Sequence, residues 1–203
     1  FKKITKGPKI KKPKHIFFIV GESIPQWSLD ETHKLLNICP GLWNFKNQPH
    51  TVQIPNFLPA GNVSRPSIVS LMSGIYDAGL EINERESFWK GAFPTSFAYQ
   101  MKRLGYDTIY WYGGNASYGN FNHFGKAQGF DRVESASVFC GPDAPKTWVG
   151  VYDHVFLENI TEQIKGLDHP TFHFIYTTSN HGPYKMEDSL LDYDPEKVMP
   201  NLG

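Results

Sequence analysis

The sequence predicts an α/β fold, a mainly parallel sheet sandwiched by helices, and three observations carry that expectation. Three short runs rich in β-branched and aromatic residues, "HIFFIV" (15–20), "DTIYWY" (107–112) and "TFHFIYT" (171–177), have the composition of strands. Segments with helical period lie between them. Each run gives way to glycine or small polar residues. Strands that alternate with helices pair in parallel, because each crossover returns the chain to the same end of the sheet.

Taken in order, "HIFFIV" is continuously apolar and stops at Gly21, which predicts a strand buried on both faces. Residues 61–74, "GNVSRPSIVSLMSG", place two serines, an arginine and a proline before a short apolar helical run. A serine there can cap the helix, with proline fitting the first turn. A hydroxyl at a helix start also sits in a positive field that suits an anion, or a nucleophile attacking one. "SFAYQMKRLG" (96–105) predicts a helix stopped by Gly105 ahead of the second strand. "VYDHVFLENITEQIKG" (151–166) repeats apolar residues at Val151, Val155, Ile160 and Ile164 before Gly166, a helix leading to the third strand.

With 203 residues and 40% hydrophobic content, the chain can bury the core of one globular domain. No apolar run approaches the ~20 residues of a membrane span, and no signal-peptide pattern opens the sequence. The formal charge of zero hides an asymmetry: seven lysines fall in residues 1–14, and the remaining residues carry 13 basic against 20 acidic groups. The basic stretch is punctuated by Pro and Gly and has no helical or strand period, so it reads as a linker arm suited to anionic lipid head groups, with no nucleic-acid partner. The abrupt "FKK" and "VMPNLG" ends lead us to expect a piece of a longer protein. Cys39 and Cys140 match no zinc or redox spacing and read as two buried thiols or one disulfide.

Ligands of parallel sheets bind beyond the carboxyl ends of the strands. That rule selects "GES" (21–23), "GGN" (113–115) and "TSNHGPY" (178–184). Glu22 at a strand exit can hold a metal, or equally cap a helix or pair with a lysine. His181 occupies a Gly/Pro-bounded loop at an equivalent exit, where a histidine is either solvated or functional.

Read from Ser64, the helical segment is Ser-x-Pro-Ser-x-x-x-Leu-x-Ser-Gly. It resembles the nucleophile segment of the sulfatase branch of the alkaline phosphatase superfamily. "FFIVGES" resembles the first strand and metal-binding acid of that superfamily's membrane-anchored phosphotransferases, and "TTSNHGPY" their Ser-Asn-His-x-Pro loop. The three motifs run in the family's order from about residue 15 to 184. The resemblance implies an alkaline phosphatase/sulfatase-like fold, with residues 15–203 forming the N-terminal portion of a catalytic domain behind the arm of residues 1–14.

The departures from the sulfatase pattern select a branch. Ile68 stands where a sulfatase has arginine, and an unmodified Ser64 suits a phosphoryl intermediate. The resemblance thus implies a phosphoglycerol or phosphoethanolamine transferase of the lipoteichoic acid synthase type. Ser64 would be the nucleophile and, with Glu22, would bind a divalent metal ion (Mn, Zn or Mg). Asn115 and His123 would contact substrate, and His181 would contact the phosphate or bind a second metal. A phospholipid would be the donor and a glycan or polyol the acceptor, outside the cytoplasm on a bacterial membrane to which the full-length protein is anchored. A hydrolase on the same scaffold, or an inactive binding relative, stays open as an alternative. The family completes its metal site with a later Asp-His pair. Asp153-His154 and Asp168-His169 precede the histidine loop and are expected to be structural or surface residues, so the pair is expected beyond Gly203.

Overall fold

A computed structural model describes residues 11–54 and 56–183. Four parallel strands, β1 (His15–Val20), β2 (Asp107–Tyr112), β3 (Arg132–Ser135) and β4 (Thr171–Tyr176), form one sheet in the order β1-β4-β2-β3. The α/β expectation is met. Six α-helices are described: α1 (Pro40–Lys46), α2 (Ser64–Ser73), α3 (Phe97–Arg103), α4 (Phe121–Ala127), α5 (Ala136–Phe139) and α6 (Asp153–Lys165).

Alternation along the strands divides the core in two. Tyr110, Tyr112, Phe172, Phe174 and Tyr176 face Ile68, Val69 and Met72 of α2, Ala98 of α3, and Phe121 and Phe124 of α4. Ile109, Trp111 and Ile175 face Ala136 of α5 and Phe156 and Ile160 of α6. Helices therefore cover both faces of the central strands, which explains why β4 is buried at every position.

The first strand departs from expectation. It is the edge of the described sheet, and Phe17 and Ile19 are 49% and 59% exposed, so it is not buried on both faces. Its apolar run reflects packing of Ile16, Phe18 and Val20 on the α2 side, while Phe17 stacks on His173 at 4.8 Å. The short, polar β3 carries too little apolar signal to be legible in the sequence. The helix expected over 151–166 begins only at Asp153, because Val151 donates its N–H to the Gly113 carbonyl and pairs with Lys146 instead.

Most of the lysine arm lies outside the described residues. Its last part is no free linker: Lys12 donates to the Gly105 carbonyl at 2.7 Å and lies 4.2 Å over the Tyr106 ring, and the Lys14 carbonyl accepts from Thr171. Cys39 and Cys140 are both free and half-buried. No described helix is long and apolar enough to cross a membrane.

Candidate active site

Strand register assembles the site. Val20 pairs with Tyr176, and Tyr176 with Tyr112, so β1, β4 and β2 end side by side and their exit loops emerge together. The loops are also tied to one another. Glu22 donates its N–H to Thr177 Oγ1 at 3.3 Å, and Asn180 donates its side-chain amide to the Ser23 carbonyl at 2.6 Å. Gly113 donates its N–H to the Tyr176 carbonyl.

Helix α2 brings Ser64 to this line. Val63 is extended and no side chain caps the helix, so Ser64 is its first residue rather than its cap. Its hydroxyl instead donates to Glu22 Oε2 at 2.8 Å. The second serine of the motif explains the local geometry. Ser67 Oγ accepts the Gly61 N–H and lies 3.0 Å from the carbonyl oxygens of both Gly61 and Val63, clasping the approach loop to the first turn. Gly61 is required by that clasp, because a Cβ there would stand 2.7 Å from Pro66 Cγ. The helix ends at Gly74 in the left-handed region, where a Cβ would meet the Thr95 carbonyl at 2.7 Å.

Glu22 is the electrostatic centre. Its side chain is buried, and no lysine, arginine or histidine pairs with it among the described residues. Ser23 donates to Oε1 at 2.6 Å, and both Ser64 and Tyr176 donate to Oε2. Burial pushes the carboxyl up, but the hydrogen bonds from Ser23, Tyr176 and Ser64, with the charge of His181, outweigh it and hold Glu22 below its usual range. Burial, then the bond to Glu22, raises the Tyr176 phenol well above its ordinary value. Burial likewise carries Tyr112 to about 12, helped by Tyr118 and Glu22. Both phenols thus remain protonated, and Tyr176 remains a donor.

A cleft of about 1300 Å³ opens beside Ser64 and is bordered by Arg65, Asn115, Tyr112, Tyr176 and His181. His181 is half-buried and meets the Trp148 ring in a T-shaped contact, the ring centroids 5.1 Å apart. Asn115 is exposed, and its carbonyl oxygen accepts the Ser117 N–H and hydroxyl. His123 is not brought to the cleft lining; it is exposed and stacks on Trp89 at 5.3 Å. A second, more apolar groove of about 800 Å³ is lined by Glu22, Ile24, Leu58 and Leu71. Ser64 and Tyr176 border both.

Glu22 and Ser64 offer two oxygen donors to a cation, and the unpaired buried carboxylate suits one. Among the described residues no group of three or more His, Cys, Asp or Glu could hold a metal. The Asp153 carboxylate is occupied, with Oδ1 accepting the N–H groups of Thr178 and Ser179 at 3.0 Å each. Asp168 and His169 are exposed at the approach to β4.

One contributor escaped sequence reasoning. Tyr176 supplies a donor to Glu22, and its signal was a tyrosine as the last strand residue, apolar in body and polar at the tip. Arg65, which beside Ser64 could face either an anion or the surface, pairs with Glu84 at 3.2 Å and lies 5.2 Å over the Tyr118 ring.

Residues 14–200 match the family model described as Sulfatase. Among solved structures, the lipoteichoic acid synthase LtaP of Listeria monocytogenes aligns over 93% of this chain and 47% of its own, with 18% identity and a TM-score of 0.71. The periplasmic domain of EptC from Escherichia coli, solved with Zn, aligns over 91% of this chain and 51% of its own, with 13% identity and a TM-score of 0.60. A protein of the alkaline phosphatase superfamily from Vibrio parahaemolyticus aligns over 67% of this chain and 34% of its own, at 24% identity and a TM-score of 0.50. These likenesses are of fold. The chain spans between a third and about half of each of these three structures.

Proposed function

This chain belongs to the sulfatase family, and from that premise we propose that it transfers a phospholipid head group, phosphoglycerol or phosphoethanolamine, to a glycan or polyol hydroxyl through a phosphoseryl intermediate at Ser64. The observation that carries the reading is the 2.8 Å hydrogen bond from the Ser64 hydroxyl to a buried, ionised Glu22 at the first turn of α2. Ile68 supports an unmodified serine, since the position where sulfatases place an arginine is here 2% exposed inside the core.

Glu22 orients Ser64 Oγ toward the cleft and holds its proton at Oε2. As Oγ loses its proton to solvent it forms a bond to phosphorus, the bond from phosphorus to the diacylglycerol oxygen breaks, and the released alkoxide takes a proton from solvent. The uncapped N–H groups at the start of α2 favour the added anionic charge. A carboxylate held below its usual range is a weak base for an alcohol, so the step needs added positive charge. A divalent cation (Mn, Zn or Mg) held by Glu22 and Ser64, with its other ligands from outside the described residues, would supply it by lowering the hydroxyl pKa. The acceptor hydroxyl then attacks the phosphoserine, the bond from phosphorus to Oγ breaks, and the acceptor's proton is lost as Ser64 regains one. The apolar groove beside Glu22 suits the lipid side of the donor, and such a substrate implies an extracytoplasmic membrane surface.

The test compares wild-type, Glu22→Ala and Ser64→Ala full-length protein by elemental analysis of bound Mn, Zn and Mg, and by turnover of a fluorescent head-group phospholipid. Metal lost with Glu22→Ala, turnover lost with Ser64→Ala, and phosphoserine at position 64 in trapped wild type support the reading. Formylglycine at position 64 moves it to a sulfatase, and absence of metal and turnover in wild type reduces the chain to a binding relative.

A further inference from the structure

The cleft beside Ser64 exposes aromatic rings that the core does not need. Trp148, Tyr76 and Tyr118 all border it, and they are 73%, 69% and 57% exposed. Single exposed rings are ordinary, but three around one cleft are not accounted for by folding. Trp148 is also held firmly. It sits on a tight turn in which Thr147 donates its N–H to the Gly150 carbonyl at 2.8 Å and accepts the N–H groups of Val149 and Gly150 at its hydroxyl. The turn is pressed onto the strand exits: a Cβ on Gly150 would stand 2.3 Å from the Gly113 carbonyl and 2.5 Å from Thr178 Oγ1. The indole N–H is spent on the Gly182 carbonyl at 3.1 Å, which fixes the ring plane, and beyond the T-shaped contact with His181 most of the ring stays exposed for contact. An immobilised aromatic ring gives contact area at low entropy cost.

The polar groups around the rings suit hydroxyls rather than further charge. Arg65 is already paired with Glu84 and stacked on Tyr118. Glu81 is exposed at the cleft, and Asn115, whose carbonyl oxygen serves Ser117, retains its amide NH₂ as a donor. At about 1300 Å³ the cleft exceeds the roughly 300–1,000 Å³ of a small-ligand site, so it has room beyond a head group.

We propose that Trp148, with Tyr76 and Tyr118, forms the acceptor subsite and that the acceptor is a pyranose glycan, whose apolar ring faces stack on the aromatics while its hydroxyls meet Glu81 and Asn115. The inference rests on the transferase reading and narrows it, because an open-chain polyol such as glycerol has no ring face to stack.

The test uses full-length protein and two independent readouts. Cellobiose and glycerol are titrated by saturation-transfer NMR against wild type, Trp148→Ala, Trp148→Phe and Tyr76→Ala. In parallel, head-group release to water is compared with transfer to cellobiose. The subsite predicts binding of cellobiose over glycerol, a loss of tenfold or more in Trp148→Ala with substantial rescue in Trp148→Phe, and transfer falling while release to water is kept. Equal binding of both probes, or cellobiose binding and transfer unaffected by Trp148→Ala, overturns the subsite and leaves the donor half-reaction standing. Cellobiose binding sensitive to Trp148 without any head-group release upholds the glycan site and removes the transferase reading instead.

Discussion

Ser64 and Glu22, 42 residues apart in the chain, meet at 2.8 Å because α2 begins where β1 ends. The serine therefore does not do what a serine before a helix commonly does. Its hydroxyl leaves the helix N–H groups free and serves a carboxylate on another element. The helix field and the carboxylate act on the same oxygen, one favouring negative charge on it and the other accepting its proton.

Tyr176→Phe tests how Glu22 stays ionised. Glu22 is held below its usual 4.5, so it contributes stability above that pH that is lost as pH falls through its folded value. Removing the Tyr176 donor raises the carboxyl, so the acid limb of head-group turnover moves to higher pH. The fold loses about 1.5–3 kcal/mol, the range for a hydrogen bond to a charged group. A pH profile of kcat/KM with an unmoved acid limb would show that the Ser23 and Ser64 donors suffice.

Ser67→Ala and Gly61→Ala should both loosen or deform the Ser64 approach loop without touching Ser64 itself. The first removes the clasp on Gly61 and Val63, at about 1–2 kcal/mol. The second places a methyl 2.7 Å from Pro66 Cγ, at about 1–3 kcal/mol. Urea unfolding measures the cost, and phosphoserine formation at position 64 should slow in both. Unchanged formation in both variants would mean that the helix alone positions the nucleophile.

Asp153 anchors the loop that carries His181, through the Thr178 and Ser179 N–H groups, and Ser179 Oγ in turn accepts the Asp153 N–H. Asp153→Ala should lower kcat tenfold or more while leaving the metal binding proposed for Glu22 unchanged, and Asp153→Asn should recover much of the activity by keeping an acceptor oxygen. Equal loss in both variants would point to charge, not loop position, as the contribution of Asp153.

His173 makes the sheet acid-sensitive. Trp111 donates its indole N–H to His173 Nδ1 at 3.1 Å, so the neutral ring carries its proton on Nε2, 3.2 Å from His15 Nδ1. Burial, with the charge of His15, lowers the imidazole from 6.5 to about 4. The unfolded chain binds this proton first as pH falls, so stability drops from about pH 6.5 toward 4. Urea unfolding across that range should show the slope, and His173→Gln should flatten it. A slope that persists in the variant would assign the acid sensitivity to other groups.

Elements with a strong local signal were legible in the sequence. "HIFFIV", "DTIYWY" and "TFHFIYT" became β1, β2 and β4, because continuous β-rich runs of this length have few other ways to bury themselves. β3 was not legible, since "RVES" is stabilised by pairing with β2 rather than by its own side chains. The exposure of β1 was hidden for a related reason: an apolar run does not reveal whether a strand lies at an edge.

The same division holds at the site. Sequence order alone placed Glu22, Asn115 and His181 at strand exits and Ser64 at a helix start, because parallel strands must release their loops at one end. It also placed His123 beside Asn115 by nearness in the chain, and the turn of α4 carries that ring to Trp89 instead. Only the tertiary structure decided that Ser64 faces Glu22 rather than its own helix, that Tyr176 and Ser67 hold the pair in place, and that Trp148 stands over the same cleft. A hydrogen bond reaches about 3 Å whatever the chain separation, so a periodic pattern can name the loop a residue leaves from but not the atom it meets.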